Sequence, residues 1–527
     1  MKKDNVVRYP VSVVEYDGCQ GIELLLKEKP MQIGLAEKEL TVVEDGGYLI
    51  VDFGRELSGG VRLLTYFSDK DATLRLRLGE SVTECCAEIG EKNALNAHTY
   101  RDITLPVVEL SDCSYFDSGF RFLRIDVKGG KVNLKAVVAE ENVSEINRIG
   151  SFSCSDKLLN QIYETAAYTI DLCVRRGVIW DGIKRDRLVW IGDIYPELLS
   201  LENLTADLTC VKNSLDFVKA QTPATDWMCG IPMYSMWWII ILREYFRRTG
   251  DVAYVQGQIE YTKELLVSLA NNIADDGTTH YPYNFVDWPT QGKEDEVAGV
   301  HMLNELALEA VTELFDAVGE DSSFAKELLA KLRLQTPVAK THKQIIALKS
   351  YVRGDVTENE KSVILAGGAK GLSTFMSYFI LGAIDKIAGT QKALEIAKEY
   401  YGTMLKLGAT TFWEDFDIDW SKNASPIDRR PKDGEKDIHG DFGAFCYLGF
   451  RHSLCHGWSS GVLPFLVERV LGVTVKNGGK KVTVAPSLGG LQWAKGEIPV
   501  NGGVLRVEVQ GNNVNIEAPE GVEIIKE

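Results

Sequence analysis

Three successive regions of the chain differ in the spacing of their hydrophobic residues. In the first, of about 150 residues, short runs of alternating or β-branched residues recur between Gly, Asp and Ser turns, a pattern that predicts strands. The clearest run is 72–80, where one predicted face carries Leu74, Leu76 and Leu78 and the other carries Arg75 and Arg77. Several such strands in succession predict a β-sandwich.

The spacing changes near Ser151 and becomes helical. After a possible cap at Ser155, apolar residues recur at helical intervals, at Leu158, Leu159, Ile162, Ala166 and Ile170. Some ten to twelve helical segments follow over about 300 residues, joined by loops rich in Trp, Asp, Gly and Pro. Because no fixed repeat period is visible, this array favours a helical barrel or toroid over a solenoid.

The last 60 or so residues return to a strand pattern, with Gly-Gly, Asn-Gly and Gly-Asn pairs that predict hairpins. We therefore expect a multidomain chain with a central all-α barrel between two β-sandwiches. The predicted boundaries are 1–150 for the N-terminal sandwich, 151–465 for the helical barrel and 466–527 for the small C-terminal sandwich.

Composition narrows the functional classes. The 527 residues include 58 Lys and Arg against 75 Asp and Glu, a net charge of −17, which argues against a nucleic-acid partner. The longest strongly apolar run, 236–242, is too short to span a membrane, and the N-terminus shows no apolar signal region. Ten scattered cysteines form no Cys-x-x-Cys pair, so we expect free thiols, no metal site and a cytoplasmic location.

Three segments combine acidic and aromatic residues at unusual density. They are 180–193, 281–289 and 408–417, and a fourth segment, 453–461, adds His456. If 180–193 were helical, Asp186 and Asp193 would share a face. Aromatic rings stack on sugar faces, and glycoside hydrolysis requires two carboxylic groups beside the scissile bond. The alternatives are a solvated charged loop, tryptophans of a helical core and a structural histidine.

In these segments the sequence resembles the α-L-rhamnosidases of glycoside hydrolase family 78. The run DGIKRDRLVWIGD is similar to a family motif in which Asp, Cys-Pro-x-Arg and an acid precede Arg-Leu-Gly-Trp-x-Gly-Asp. GATTFWE resembles the family's Gly-Ala-Thr-Thr-x-Trp-Glu, and Asp287-Trp288 and SLCHGWSSG resemble two further segments. DFGRELSGGVRL is similar to an element of the β-domain that precedes the catalytic barrel, and the domain order also matches.

The resemblance implies an inverting hydrolase built on a catalytic (α/α)6 barrel, with no cofactor and no metal. It implies that Asp186 is the general acid and Glu414 the general base. The residues implied to bind the substrate are Asp181, Arg185, Trp190, Asp193, Tyr234, Asp287, Trp288, Trp413 and His456. The expected partner is a small-molecule or oligosaccharide glycoside, whereas the oligomeric state does not follow from the sequence.

The chain departs from the family pattern at several positions. Asp186 is one methylene shorter than the family's Glu, Gly182-Ile183 replaces Cys-Pro, and Tyr234 stands where Trp is common. The charged segment 421–442 is interpreted either as a disordered surface insertion or as a lid over the leaving-group side. A rhamnoside or a close analogue is the predicted substrate. Another glycosidase or a lyase on the same toroid, or a non-catalytic sugar-binding relative, are the alternatives.

Overall fold

The computed structural model describes residues 6–527, which form two compact units. The first unit contains the N-terminal region up to Ser144 together with Gly182–Arg187 and Met404–His456. The second contains Glu145–Asp181, Leu188–Thr403 and Gly457–Glu527. The predicted combination of β-sheet and helical regions is confirmed, and most of the helices lie in the second unit. We call these the β-rich unit and the helical unit.

A seven-stranded sheet forms the framework of the β-rich unit. The long strand Thr41–Thr65 pairs with three neighbours, and a bulge between Asp52 and Leu57 interrupts its pairing. The remaining strands of the sheet are Val6–Arg8, Ser12–Gln20, Thr73–Gly79, Asp102–Pro106, Asp112–Lys128 and Val132–Glu141. The predicted run 72–80 corresponds to the strand Thr73–Gly79.

The alternation predicted for 72–80 decides which face of its strand is buried. Leu74, Leu76 and Leu78 lie in the main apolar cluster of this unit. Arg75 and Arg77 lie on the opposite face of the strand and form ion pairs there. Arg75 pairs with Asp102 and Glu88, and Arg77 pairs with Asp126 and Glu88. The period of two in the sequence therefore sets the orientation of this strand.

Helices dominate the second unit. The first begins at Lys157 because the Asp156 side chain accepts bonds from the Leu158 and Leu159 N–H groups, so the cap is Asp156 rather than the predicted Ser155. The α-helices are Lys157–Cys173, Ile194–Leu204, Thr209–Gln221, Pro232–Thr249, Val252–Gln256, Ile259–Ala270, Glu296–Val318, Ser323–Leu332, Lys343–Arg353, Glu358–Leu365, Ser377–Ala388, Thr390–Lys406 and Val462–Phe465. A short helix, Val82–Cys86, lies in the β-rich unit.

The long helices of this unit pack in succession. Pro232–Thr249 contacts Glu296–Val318, which contacts Lys343–Arg353, and that helix contacts Ser377–Ala388. The apolar run 236–242 lies inside the first of these helices and is buried. Among residues 6–527, no helix combines the length and apolarity needed to cross a bilayer.

The C-terminal strands form two small sheets in the helical unit. The strands are Val473–Lys476, Lys481–Val484, Trp493–Val500, Gly503–Gln510, Asn513–Glu517 and Glu523–Lys526. The Asn501-Gly502 pair joins two of them in the predicted hairpin. Ser151–Cys154, just before the first long helix, pairs with Trp493–Val500, so the strand nearest the change in pattern belongs to the C-terminal sheet.

The charged segment 421–442 is ordered within the β-rich unit. Arg430 forms an ion pair with Glu15, and His439 shares a hydrogen bond of 2.8 Å with Ser81. Its backbone also bonds to the short helix, because the Val82 N–H donates to Ile427 O. These contacts exclude the interpretation as a disordered insertion.

Candidate active site

The segment 180–193 is not helical and is divided between the two units. Asp181 belongs to the helical unit, Gly182–Arg187 to the β-rich unit, and the chain from Leu188 onward to the helical unit again. Asp186 and Arg187 both have left-handed backbone conformations, with φ of 53° and 56°. Such conformations cost about 1–3 kcal/mol each outside glycine, so the surrounding contacts must hold this turn.

In the β-rich unit, Arg185 connects the two carboxylates predicted to be catalytic. Its guanidinium bonds Glu414 through Nη2 at 2.5 Å and Asp186 through Nη1 at 2.8 Å. The side chain is almost fully buried, and its Nε donates to Arg451 O at 2.9 Å. Tyr447 packs against the same guanidinium, 5.5 Å from ring centre to Cζ. One buried cation therefore fixes both acids.

Glu414 is held on several sides. Its carboxylate accepts a bond from the Ser453 N–H at 3.1 Å, and its own N–H donates to Ser453 O at 3.0 Å. His456 lies 3.5 Å away through Nδ1. Burial would raise the pKa of Glu414, but the charge of Arg185, together with the nearby His456, outweighs it, so the pKa lies below the usual value. This carboxylate is ionised at neutral pH.

Asp186 is the more accessible of the two acids, with 18% of its side chain exposed. Besides Arg185, its carboxylate has His98 at 3.4 Å through Nε2. The next residue, Arg187, anchors the turn to Asp117, bonding its carbonyl at 2.7 Å and its carboxylate at 3.0 Å. Asp186 is thus placed at a half-open, strained turn, whereas Glu414 lies in the interior.

Four other predicted residues cluster in the helical unit. The Tyr234 hydroxyl donates to Asp193 Oδ1 at 2.9 Å, and Trp190 meets the Tyr234 ring edge-on at 6.2 Å between centroids. Asp181 accepts a bond from the Leu188 N–H at 2.9 Å. A Cβ at Gly192 would lie 2.2 Å from the Tyr234 ring, so only glycine fits at that point of the motif.

The second aromatic segment continues this cluster. Phe285 contacts Tyr234 at 6.2 Å and Trp288 at 5.1 Å between ring centroids, so aromatic contacts run from Trp190 to Trp288. Asp287 is buried, caps the turn beginning at Trp288 and accepts a bond from the Ser373 hydroxyl. Burial raises the pKa of Asp287 to about 7, although Ser373 and the Trp288 N–H oppose the shift.

The predicted residues differ in their access to a ligand. Trp190 and Trp288 are half-buried. Trp413 is 1% exposed and packs edge-on against Phe416, with ring centroids 5.6 Å apart. His456 is also buried. A tryptophan next to the predicted base is therefore part of the core around it.

Several acidic residues near the site carried no signal strong enough to be selected from the sequence. Glu56, Glu80 and Glu84 are buried in the β-rich unit, and Glu56 lies in the DFGRELSGGVRL run that the resemblance had noted. The backbone of that run bonds the GATTFWE motif, because the Glu56 N–H donates to Thr410 Oγ1 at 2.9 Å. The two motifs therefore meet in space.

In the helical unit, Glu197 is a further buried acid that the sequence did not single out. It is buried one turn after Asp193, and a Cβ at Gly457 would lie 1.9 Å from its Oε1. Within residues 6–527 neither of its carboxyl oxygens has a hydrogen-bond partner. Burial raises its pKa well above the usual value, and Cys173, Asp193 and Asp181 add to the shift. The group is therefore a neutral carboxylic acid.

Only one group of side chains in the described range has the geometry of a cation site. Glu80, Glu84 and His439 bring one ligand atom each within 4.8 Å of one another. The ammonium of Lys184 contacts both carboxylates, at 2.8 and 3.1 Å, and supplies a positive charge there. We therefore assign these residues to an ion-pair cluster and not to a metal centre.

Comparison with known families supports the sequence resemblance. Residues 147–321 match the family model described as the bacterial α-L-rhamnosidase six-hairpin glycosidase domain, which confirms the suspected family over that range. The matched range includes Asp186, Asp193 and Trp288, whereas Glu414 and His456 lie beyond it. No curated protein matches the sequence significantly.

Solved rhamnosidases share the fold. The family 78 rhamnosidase of Bacillus sp. GL1 matches with a TM-score of 0.75 and 22% identity, over 96% of this chain and 55% of its own. The Streptomyces avermitilis α-L-rhamnosidase, complexed with L-rhamnose, gives 0.71 and 15%, over 90% and 48%. The Klebsiella oxytoca rhamnosidase, with rhamnose bound, gives 0.64 and 18%, over 88% and 95%. The chain thus spans about half the length of the first two.

Proposed function

We propose that this chain is a glycoside hydrolase that cleaves terminal α-L-rhamnosides, or a close analogue, with inversion at the anomeric carbon. The observation that carries the proposal is the Arg185 guanidinium bonded to both Asp186 and Glu414. A cation between two carboxylates keeps them near each other without direct contact. In inverting enzymes the two carboxyl groups are separated by about 6.5–9.5 Å, which leaves room for a water molecule.

The two carboxylates divide the reaction between them. Glu414, ionised and buried, takes a proton from water, and that water attacks the anomeric carbon. Asp186 gives its proton to the glycosidic oxygen as the bond to the leaving group breaks. Because Arg185 bonds Asp186 in the free protein, substrate binding exchanges that contact for one to the glycosidic oxygen.

The sugar contacts are proposed from the resemblance. Trp190 and Trp288, which are half-buried, provide stacking faces. Hydroxyl contacts are assigned to Asp181, Arg185, Asp193, Tyr234, Asp287 and His456. For Trp413, which is almost fully buried, we propose a supporting role beneath Glu414.

The finer architecture belongs to the same proposal. Successive packing of the long helices and the shared fold support an (α/α)6 barrel at 151–465 between sandwiches at 1–150 and 466–527. The proposed chemistry uses two carboxylates and water, with no cofactor. All ten cysteines are free thiols, which supports a reducing, cytoplasmic location.

The proposal is tested with p-nitrophenyl α-L-rhamnopyranoside and with wild type, Asp186→Asn and Glu414→Gln. We expect turnover by wild type and a loss of at least about 100-fold in each variant. Proton NMR of the first-formed sugar should show the anomer opposite to that of the substrate. Retained anomeric configuration, or full activity in both variants, would contradict the assignment.

One observation favours a second candidate, a sugar-binding protein without turnover. Asp186 is one methylene shorter than the family's Glu, and its carboxylate is already bonded by Arg185 in the free protein. Calorimetry with L-rhamnose, combined with turnover assays on a panel of glycosides, separates the two candidates. Binding without hydrolysis of any glycoside in a broad panel, including the p-nitrophenyl glycosides of other sugars, would favour the second; turnover of another glycoside would indicate a different glycosidase.

A further inference from the structure

The side chain of Lys184, in the 180–193 motif, is buried in the β-rich unit. Its ammonium forms ion pairs with Glu80 at 2.8 Å and with Glu84 at 3.1 Å. It also donates to two backbone carbonyls, Phe450 O at 3.0 Å and His452 O at 2.6 Å. One cation therefore fixes both the acidic pair and the backbone at 450–452.

The same acidic pair reaches the proposed base. Glu80 accepts bonds from the Ser453 hydroxyl at 3.2 Å and from the Leu454 N–H at 2.7 Å. The Ser453 N–H in turn donates to the Glu414 carboxylate, and the Glu414 N–H donates to Ser453 O. The path from the Lys184 ammonium to the Glu414 carboxylate thus passes through one glutamate and one serine.

The neighbouring residue acts on the same stretch of backbone. Arg185 donates to Arg451 O at 2.9 Å and bonds Glu414 directly. Lys184 and Arg185 therefore hold the carbonyls of three consecutive residues, 450 to 452. Any displacement of this stretch would move the Ser453 contact and the Arg185 contact of Glu414 together.

Lys184 supplies the positive charge that pairs with Glu80 and Glu84. Burial would lower its pKa, but Glu80 and Glu84 outweigh burial and the pKa lies above the usual value. Burial lowers the pKa of His439 and His452 well below the usual value, so both rings are neutral. Removing one member of a buried ion pair leaves the partner charge uncompensated, and that is strongly destabilising locally.

We propose that Lys184 is a positioning residue for the reaction: its ammonium fixes segment 450–454 and thereby sets the orientation of Glu414. This inference rests on the proposed function, because it assigns Lys184 a role in that same reaction. The ammonium acts through Glu80, Glu84 and the carbonyls of Phe450 and His452. Its removal is therefore expected to slow the chemical step while leaving sugar binding almost intact.

The test compares Lys184→Met, which keeps the length of the stem, with Lys184→Arg, which restores a cation. We expect kcat to fall at least about 10-fold in the Met variant, with KM within about 3-fold, and to recover partly in the Arg variant, because a misplacement of about 1 Å at the catalytic groups can cost about 100-fold. The acid-side midpoint of the kcat/KM profile should move in the Met variant, because the contacts of Glu414 with Arg185 and His456 are no longer fixed.

The matched control is Lys349→Met. Lys349 is another buried lysine that forms an ion pair with a glutamate, bonding Glu360 at 2.9 and 3.0 Å, and it belongs to the helical unit. We expect its loss to lower the unfolding temperature and leave kcat unchanged. A wild-type kcat in Lys184→Met, or equal losses in the two Met variants, would overturn the proposal.

Two further measurements keep the inference testable under other outcomes. A crystal structure of Lys184→Met should show that the Ser453 N–H contact to Glu414 is lost, and an unchanged contact would overturn the proposal. This test does not depend on activity. If wild type hydrolyses no glycoside, the proposed function fails separately. If the Met variant does not fold, Glu80→Gln replaces it, with the same expected selective loss of kcat, and an unchanged kcat there would overturn the proposal.

Discussion

The Arg185 guanidinium bonds both carboxylate oxygens of Glu414 at 2.5 Å, although 229 positions separate the two residues in the chain. Burial disfavours a charge on Glu414, and the guanidinium overcomes that effect. The ionised state that a general base requires therefore depends on a residue of a different motif.

Replacing Arg185 with Gln is expected to shift the activity profile toward higher pH. Without the guanidinium, burial dominates and the pKa of Glu414 rises, so the acid-side midpoint of kcat/KM moves up by at least about one unit. A pH series of initial rates measures the shift. Arg187→Gln is the control, because it removes the adjacent guanidinium, which bonds Asp117. An unchanged midpoint in Arg185→Gln would show that Arg185 does not set the ionisation of the base.

Replacing Asp186 with Asn is expected to affect poor leaving groups most. A general acid contributes about 10²–10⁴-fold when the departing oxygen needs a proton, and far less when the leaving group is p-nitrophenolate. The test compares the loss of activity of Asp186→Asn on an alkyl rhamnoside with its loss on a p-nitrophenyl rhamnoside. Asp112→Asn, which removes an acid paired with Arg62 in the same unit, serves as control. Equal losses on both substrates would rule out Asp186 as the acid.

Replacing Tyr234 with Phe is expected to weaken sugar binding. The variant loses the 2.9 Å bond that orients Asp193, so the proposed contacts of Tyr234 and Asp193 with the sugar weaken. Loss of one hydrogen bond to a charged group costs about 1.5–3 kcal/mol, so the dissociation constant for L-rhamnose should rise roughly 10-fold or more. Calorimetry measures the change. Tyr261→Phe, which removes a hydroxyl bonded to Thr222 O, is the matched control. Equal affinities for the Tyr234 variant and wild type would remove Tyr234 from the sugar site.

Replacing Glu197 with Gln is expected to stabilise the protein at alkaline pH. Burial raises the folded-state pKa of Glu197, while the unfolded value is about 4.3. Its contribution to stability is therefore fully present below about pH 4 and is lost as pH rises toward the folded-state pKa. The Gln variant lacks this loss, so its unfolding temperature should exceed that of wild type at pH 8 by more than at pH 5.

Glu360→Gln provides the control of opposite sign for this experiment. Burial raises the pKa of Glu360, but the Thr357 N–H and Lys349 outweigh burial, and the pKa is lowered. A group of this kind stabilises the folded state above its unfolded pKa, so this variant should lose stability at pH 8. The same pH trend in both variants would contradict the assignment of Glu197 as a neutral acid.

The sequence by itself determined the local structure and the identity of the motifs. The period-two pattern at Leu74 and Leu76 placed them in the core, and helical spacing located the helix at Lys157–Cys173. Both are short-range properties, since backbone geometry sets which side chains share a face within a few residues. The motif resemblance could select Asp186 and Glu414 because each motif is a run of adjacent residues and is visible in the sequence alone.

Only the tertiary structure decided which distant groups meet. Spacing along the chain did not predict that Arg185 bonds Glu414, that Lys184 pairs with Glu80, or that Trp413 is buried. The neutral state of Glu197 also follows from its enclosure and not from its neighbours in sequence. Pairing, burial and ionisation depend on the path of the whole chain, because they arise from desolvation and charge–charge contacts between segments far apart in sequence.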